Sequence, residues 1–279
     1  MSNNIRMLVV NDFDEASVEL VTGSAVATLP VTNLQFYNNS RIFRVTSTEF
    51  VLKGDFTNIR LITALVLWRH NWTAAAKFRL ELFGNADQTG STVFDSGWVD
   101  ALPQTTYGEW DWRLQPVVSS LLDGWATKYS QLWFGDVFAS SYRLTVQDPL
   151  NESGQLDLTR IYMGRHYSPD VNFSWGSTFA FGSNETQQRT DDGGLFSNAT
   201  ATWRKVSFSL AYINEEDRPG LIAAIRHAKL SRDWFISLYP EEGTHKEIEH
   251  SFACKFTALP PVTSTSFNNS STAVSVEEC

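Results

Sequence analysis

Apolar and polar residues alternate with period two along much of the chain, the pattern of half-buried β-strands. In Phe78-Arg79-Leu80-Glu81-Leu82 the apolar side chains fall on one face and the charges on the other. Tyr142, Leu144 and Val146 alternate in the same way with Arg143, Thr145 and Gln147, and Val206, Phe208, Leu210 and Tyr212 with Lys205, Ser207 and Ser209. Residues 59–68, IRLITALVLW, are instead almost continuously apolar. Such a run fits a central strand buried on both faces, or a buried helix. Turn clusters punctuate these runs: Gly84-Asn85-Ala86-Asp87, Asp95-Ser96-Gly97, Asp148-Pro149-Leu150-Asn151 and Asp191-Asp192-Gly193-Gly194. Many short strands with this punctuation predict a mainly β protein built on a β-sandwich or jelly roll.

One segment has helical spacing. Asn214 supplies a capping side chain, Glu215, Glu216 and Asp217 suit a helix N-terminus, and Leu221, Ile222, Ile225 and Ala228 recur on one face. A helix is therefore predicted over about residues 215–230, its first turn weakened by Pro219 and Gly220. Two strand-like runs follow, residues 234–239 and 248–258. Residues 171–202 contain only Val171 and Leu195 as aliphatic β-branched or Leu residues. They read as a boundary or a long polar hairpin. The domain division falls near Pro169, which gives a β-sandwich over 1–168, a β-rich domain with one helix over 169–262, and a polar arm over 263–279.

Composition narrows the function. Charged residues are 19% of the chain, below the ~25% of ordinary domains, and hydrophobic residues are 42%, so this is not a disordered acidic chain despite its net charge of -9. That charge repels a phosphate backbone, and nucleic acid is not an expected partner. The four consecutive apolar residues in MSNNIRMLVV are fewer than a signal peptide needs, and no uncharged apolar stretch reaches the length of a membrane span. A soluble protein made in a cytosol is expected. Cys254 and Cys279 are too few for a disulfide framework.

Chemistry-bearing motifs are sparse. The sequence has no G-x-S-x-G, G-x-G-x-x-G, P-loop or H-E-x-x-H, and it is read as a non-enzyme without cofactor. His245, His250 and Cys254 are the one metal-like cluster; on a strand over 248–258 His245 would have the wrong parity to join the other two, so no metal site is expected. Asp95, Asp100, Glu109, Asp111 and Asp123 read as turn and surface acids rather than a glycosidase pair. Asp148 with Asn151 could cap a strand end or add to a calcium site.

Aromatics are the unusual feature, with ten Trp, 19 Phe and eight Tyr. Trp68, Asn71, Trp72 and Trp98 form a candidate carbohydrate-binding set, with Trp110 and Trp112 in a later loop-like stretch. The competing reading, which we favour, is architectural, since Trp is mostly buried in ordinary domains. Phe173, Trp175, Phe179, Phe181 and Phe196 are costly to leave in water at ~25 cal/mol per Å² and lie in a segment too poor in aliphatics to make its own core. They are the candidate subunit interface.

Asn33-Leu34-Gln35 with Ser40-Arg41-Ile42-Phe43-Arg44, the run into Trp68-Arg69-His70-Asn71, and Val93-Phe94-Asp95-Ser96-Gly97-Trp98 resemble the opening of tailed-phage tail-tip proteins with a galactose-binding-like jelly roll. Tyr142-Arg143-Leu144-Thr145-Val146-Gln147-Asp148-Pro149 and Arg160-Ile161-Tyr162-Met163-Gly164 resemble that domain's closing strands. The remainder resembles the ring-forming domain of siphophage distal tail proteins, in inverted order. This resemblance implies a structural virion protein of the tail tip, made in the host cytoplasm. It would form a ring, as a hexamer, between the tail tube and the baseplate hub, with tube, tape measure and hub proteins as neighbours. The alternative is a carbohydrate-binding module that touches the host surface.

Overall fold

A computed structural model describes residues 4–37, 40–102, 127–241 and 245–279. The N-terminal strands are β1 (Arg6–Leu8), β2 (Glu19–Thr22), β3 (Phe43–Val45), β4 (Glu49–His70), β5 (Lys77–Phe83), β6 (Thr92–Asp95), β7 (Val99–Asp100), β8 (Tyr129–Gln147) and β9 (Leu156–Gly164). Then come β10 (Thr178–Ser183), β11 (Gln187–Arg189), β12 (Leu195–Ser197), β13 (Thr202–Ile213), α1 (Asp217–Ala228), β14 (Trp234–Ser237), α2 (His245–Glu249), β15 (Ser251–Phe256), β16 (Thr263–Ser266) and β17 (Asn269–Glu278). The protein is mainly β, as the alternation predicts.

Two long strands make the sandwich. Residues 49–55 of β4 pair with 141–147 of β8, and residues 60–68 pair with 129–139; register shifts between Asp55 and Arg60 and between Ile62 and Ala64 separate the halves. Bulges bend strands and raise their twist, so one pair of strands serves both layers. Phe50, Leu52, Leu80, Leu144 and Val146 from one layer meet Leu65, Leu67, Ile161 and Met163 from the other in the first core. The second half of β4 is buried on both faces. Leu65 and Leu67 point into the first core, whereas Ala64, Val66 and Trp68 point the other way, into a second core shared with Phe208, Phe235 and Phe252. That explains the unbroken apolar run, although its first residue, Ile59, is 66% exposed.

The second core belongs to a sheet of order β1-β14-β15-β17-β13-β10, with β16 on β17. Helix α1 adds Leu221, Ala224 and Ala228 to this core, and the Asn214 side chain accepts a hydrogen bond from the Asp217 amide at 2.6 Å, so Asn214 caps as expected. Gly220 has a local reason: a Cβ there would come within 3.1 Å of the Tyr167 ring.

Three boundaries differ from the expectations. Strand β1 pairs with β14, Met7 opposite Ile236, so the first strand joins the sheet otherwise made of residues beyond 170 and the sandwich is inserted after it. Met7 and Leu8 of the apolar MLVV run lie in an edge strand of that sheet. Residues 269–278, expected in a polar arm, are a central strand between β13 and β15 with Ser270, Thr272, Val274 and Val276 buried. Small hydroxyl side chains fill that face beside two valines, and the short apolar count hid the alternation. Residues 245–249 are helical and the strand begins at Ser251, so the parity assumed for His245, His250 and Cys254 does not hold.

Candidate functional site

The Trp68–Trp72 segment is built into the molecule. Trp68 and Trp72 are both fully buried, Trp68 in the second core and Trp72 in the first. Arg69 between them takes a left-handed φ of 55°, a conformation that costs a residue with a side chain about 1–2 kcal/mol and that turns the chain from one core to the other. His70 stacks on Trp72 with ring centroids 4.2 Å apart, and its Nε2 lies 3.0 Å from Ser130 Oγ. Burial lowers His70 to about 3, so the ring is neutral at ordinary pH. Asn71 is exposed, but its amide is engaged: Nδ2 donates to the Gln155 carbonyl at 3.0 Å and Oδ1 accepts from the Asp157 amide at 2.9 Å. A sugar ring cannot stack on an indole that water does not reach.

Trp98 is the exception, 47% exposed on the turn between β6 and β7. Three residues before it in the chain, Asp95 is gripped by Arg79 through Nε at 2.9 Å and Nη2 at 2.6 Å, and the Gly97 amide donates to the same carboxylate. These bonds hold the Asp95 carboxyl down at about 2, which suits an acceptor and not a general acid. Asp100 pairs with Lys77. Trp110, Trp112, Glu109, Asp111 and Asp123 lie outside the described residues. The Asp148 carboxylate is buried and accepts from Thr73 N at 2.8 Å, from Thr73 Oγ1 at 2.6 Å and from Asn151, which makes it a tie between a strand end and the 71–76 loop. Among the described residues no three His, Cys, Asp or Glu side chains are grouped to hold a metal ion.

The candidate interface residues divide. Phe173 packs against Phe208 and Tyr239, and Phe179 against Phe181 and His250, so their own domain covers them in part. Trp175 is fully exposed, and Phe181 and Phe196 are 60% and 66% exposed. Residues 171–202 do contain a long polar hairpin. The β10–β13 ladder runs from Thr178–Ser207 to Ser183–Thr202, and β11–β12 continues the same two chains outward. The turn is closed by Thr190 N to Gly194 O at 2.8 Å, with Gly193 at φ +85°. Every residue from 183 to 202 is exposed. At ~3.3 Å per residue the arm stands about 25 Å beyond the body of the sheet. Leu195 is exposed on it beside Phe196.

No protein-family model and no curated protein sequence matches the chain. Solved structures similar to it include a Clostridium perfringens carbohydrate-binding module in complex with GalNAc-β-1,3-galactose, at 9% identity, 57% of this chain, 99% of that chain and a TM-score of 0.36. A Streptococcus pneumoniae fucose-binding module matches at 10% identity, over 56% of this chain and 95% of that one, with a TM-score of 0.37. A Ruminococcus gnavus fucosidase in complex with fucose matches at 10% identity over 58% of this chain and 27% of its own, with a TM-score of 0.38. At these scores neither a sugar nor a binding site carries over to this chain.

Proposed function

We propose that the chain is a non-catalytic structural subunit that assembles with further copies of itself through the arm formed by residues 171–202. The supporting observation is the arm: a hairpin in which every residue from 183 to 202 faces solvent, yet which carries Leu195 and Phe196, with Phe181 and Trp175 exposed near its base. Exposed apolar side chains grouped on one projection mark contact surfaces. In its most specific form, which comes from the sequence resemblance, the assembly is a hexameric ring at a phage tail tip, joining the tail tube to the baseplate hub beside the tape measure protein. Head-to-tail contacts of this kind close into rings when the rotation divides a full turn. Replacing residues 184–199 by a short Gly-Ser turn should leave unfolding unchanged, because the removed residues touch neither core, while light scattering reports loss of the higher assembly. An assembly of unchanged mass would refute the proposal.

A second reading has its own observation. Trp98 presents about half of its surface on the turn that follows Asp95, the carboxylate that Arg79 holds, and carbohydrate sites combine an exposed aromatic with planar hydrogen-bonding groups. The modules named above are described as binding galactose-type and fucose sugars, and these are the ligands to test. Calorimetry with such oligosaccharides should give a Kd tighter than about 1 mM, about -4 kcal/mol, that disappears in Trp98→Ala. Binding that survives in Trp98→Ala, or no heat at that concentration, would remove this reading.

A further inference from the structure

The sheet edges of this protein are unequally protected. In the sandwich, β3 has three residues and its Arg44 pairs with Asp157, while β6 has four and ends on the Asp95 bound by Arg79. In the second sheet, β1 has three residues, and Met7 exchanges two 2.8 Å backbone hydrogen bonds with Tyr167 on its outer side. Short, charged or covered edges are how folded proteins avoid pairing with other chains. Among the described residues, strand β10 has none of these devices. It is the last strand of its sheet, with six residues in unbroken register, Thr-Phe-Ala-Phe-Gly-Ser, and no charge, proline or bulge.

We infer that β10 pairs antiparallel with β10 of a second copy of this chain, across a two-fold axis at Ala180. This rests on the proposed assembly through residues 171–202 and names one contact within it. The occupant follows from the edge. A strand without charge meets itself without repulsion, and an antiparallel edge is self-complementary across a two-fold axis. The register follows from the phenyl rings. Phe179 and Phe181 share a face, with centroids 5.1 Å apart and planes at 88°. An axis at Ala180 sets Phe179 opposite Phe181 of the second copy twice over, so four rings meet and the exposed Phe181 is covered. An axis at Phe181 would instead leave Phe179 against Ser183, and one at Phe179 would carry Phe181 beyond the strand. Such pairing stops at two copies. The arm beyond Ser183, with Leu195 and Phe196, stays free for the head-to-tail contact that a ring needs.

Cross-linking tests the register directly. Residues opposite each other in an antiparallel pair have Cα atoms about 4.5–5.5 Å apart, within the range a disulfide spans. In a Cys279→Ser background, with Cys254 buried, Ala180→Cys should oxidise to a covalent dimer, whereas Thr178→Cys, which faces residue 182, should remain mostly uncross-linked. Ala180 is exposed, so Ala180→Arg should fold normally. By placing two like charges at the axis it should weaken the dimer at least tenfold in sedimentation equilibrium. Equal cross-linking at 178 and 180, none at 180, or an unchanged constant for Ala180→Arg would overturn the inference. The 184–199 replacement keeps β10. Retained cross-linking at 180 in that variant, with the higher assembly lost, supports both proposals; higher assembly that persists while 180 cross-links defeats only the arm; higher assembly lost with no cross-link at 180 defeats only the β10 pair.

Discussion

Arg160→Met should lower the free energy of unfolding by about 3–5 kcal/mol, more than any surface change, because it strands buried carboxylates. Arg160 is fully buried. Its Nη1 and Nη2 bond Asp14 at 2.5 and 2.9 Å, its Nε bonds Asp233 at 3.0 Å, and Nη1 also reaches the Leu34 carbonyl at 3.1 Å. The Tyr162 hydroxyl donates to the same Asp233 at 2.6 Å. One guanidinium thus ties the segment after β1, strand β9 of the sandwich and the loop before β14. Burial already raises the Asp14 carboxyl, against the pull of Arg160. Without the arginine that rise grows, the native state binds more protons than the unfolded chain, and the deficit should shrink as pH falls from 7 to 5. Urea unfolding at the two pH values measures this. A loss below about 1 kcal/mol at pH 7 would mean that the joint is not held as described.

Trp72→Ala should cost about 3–5 kcal/mol by emptying the first core. Trp72 is fully buried against His70 and Phe50. Its indole nitrogen has no hydrogen-bond partner among the described residues, so Trp72→Phe should lose only the difference in volume, about 1–2 kcal/mol. Trp98→Ala should change stability by no more than about 0.5 kcal/mol, as an exposed substitution. Thermal unfolding of the three variants separates architecture from binding. A Trp72→Ala protein as stable as the parent would contradict the core assignment.

Several of these features were legible in the sequence because period-two alternation follows burial of one strand face. Phe78 to Leu82 and Tyr142 to Val146 show it directly, and the doubly apolar run up to Trp68 signals burial on both sides. The helix follows from Asn214 and the spacing of Leu221, Ile222, Ile225 and Ala228, of which Leu221 and Ala228 are buried while Ile225 is partly so. What sequence could not give was which surface covers which face. The sequence favours an architectural role for Trp68 and Trp72, which both are fully buried in the fold, but it leaves a sugar platform open because nothing local reveals a second sheet packed on the outer face of β4. The pairing of β1 with β14 is not legible because Met7 and Ile236 lie far apart in the chain and a three-residue strand, Arg6–Leu8, carries too little pattern. Strand β17 is hidden in the sequence because two of its four buried positions, Ser270 and Thr272, are hydroxyl side chains and only Val274 and Val276 are apolar. Of the five aromatics assigned to an interface, Phe173 and Phe179 proved to be partly covered by their own sheet, since a phenyl ring in a polar segment has the same sequence signature whether its partner lies in the same chain or another.

If copies of this chain meet through residues 171–202, cryo-electron microscopy of the assembled protein should show density in which the arm of each copy lies against a neighbour and Leu195, Phe196 and Trp175 are buried between chains. An assembly whose contacts run through residues 9–165 alone, with the arms projecting unpartnered into solvent, would contradict the proposed contact.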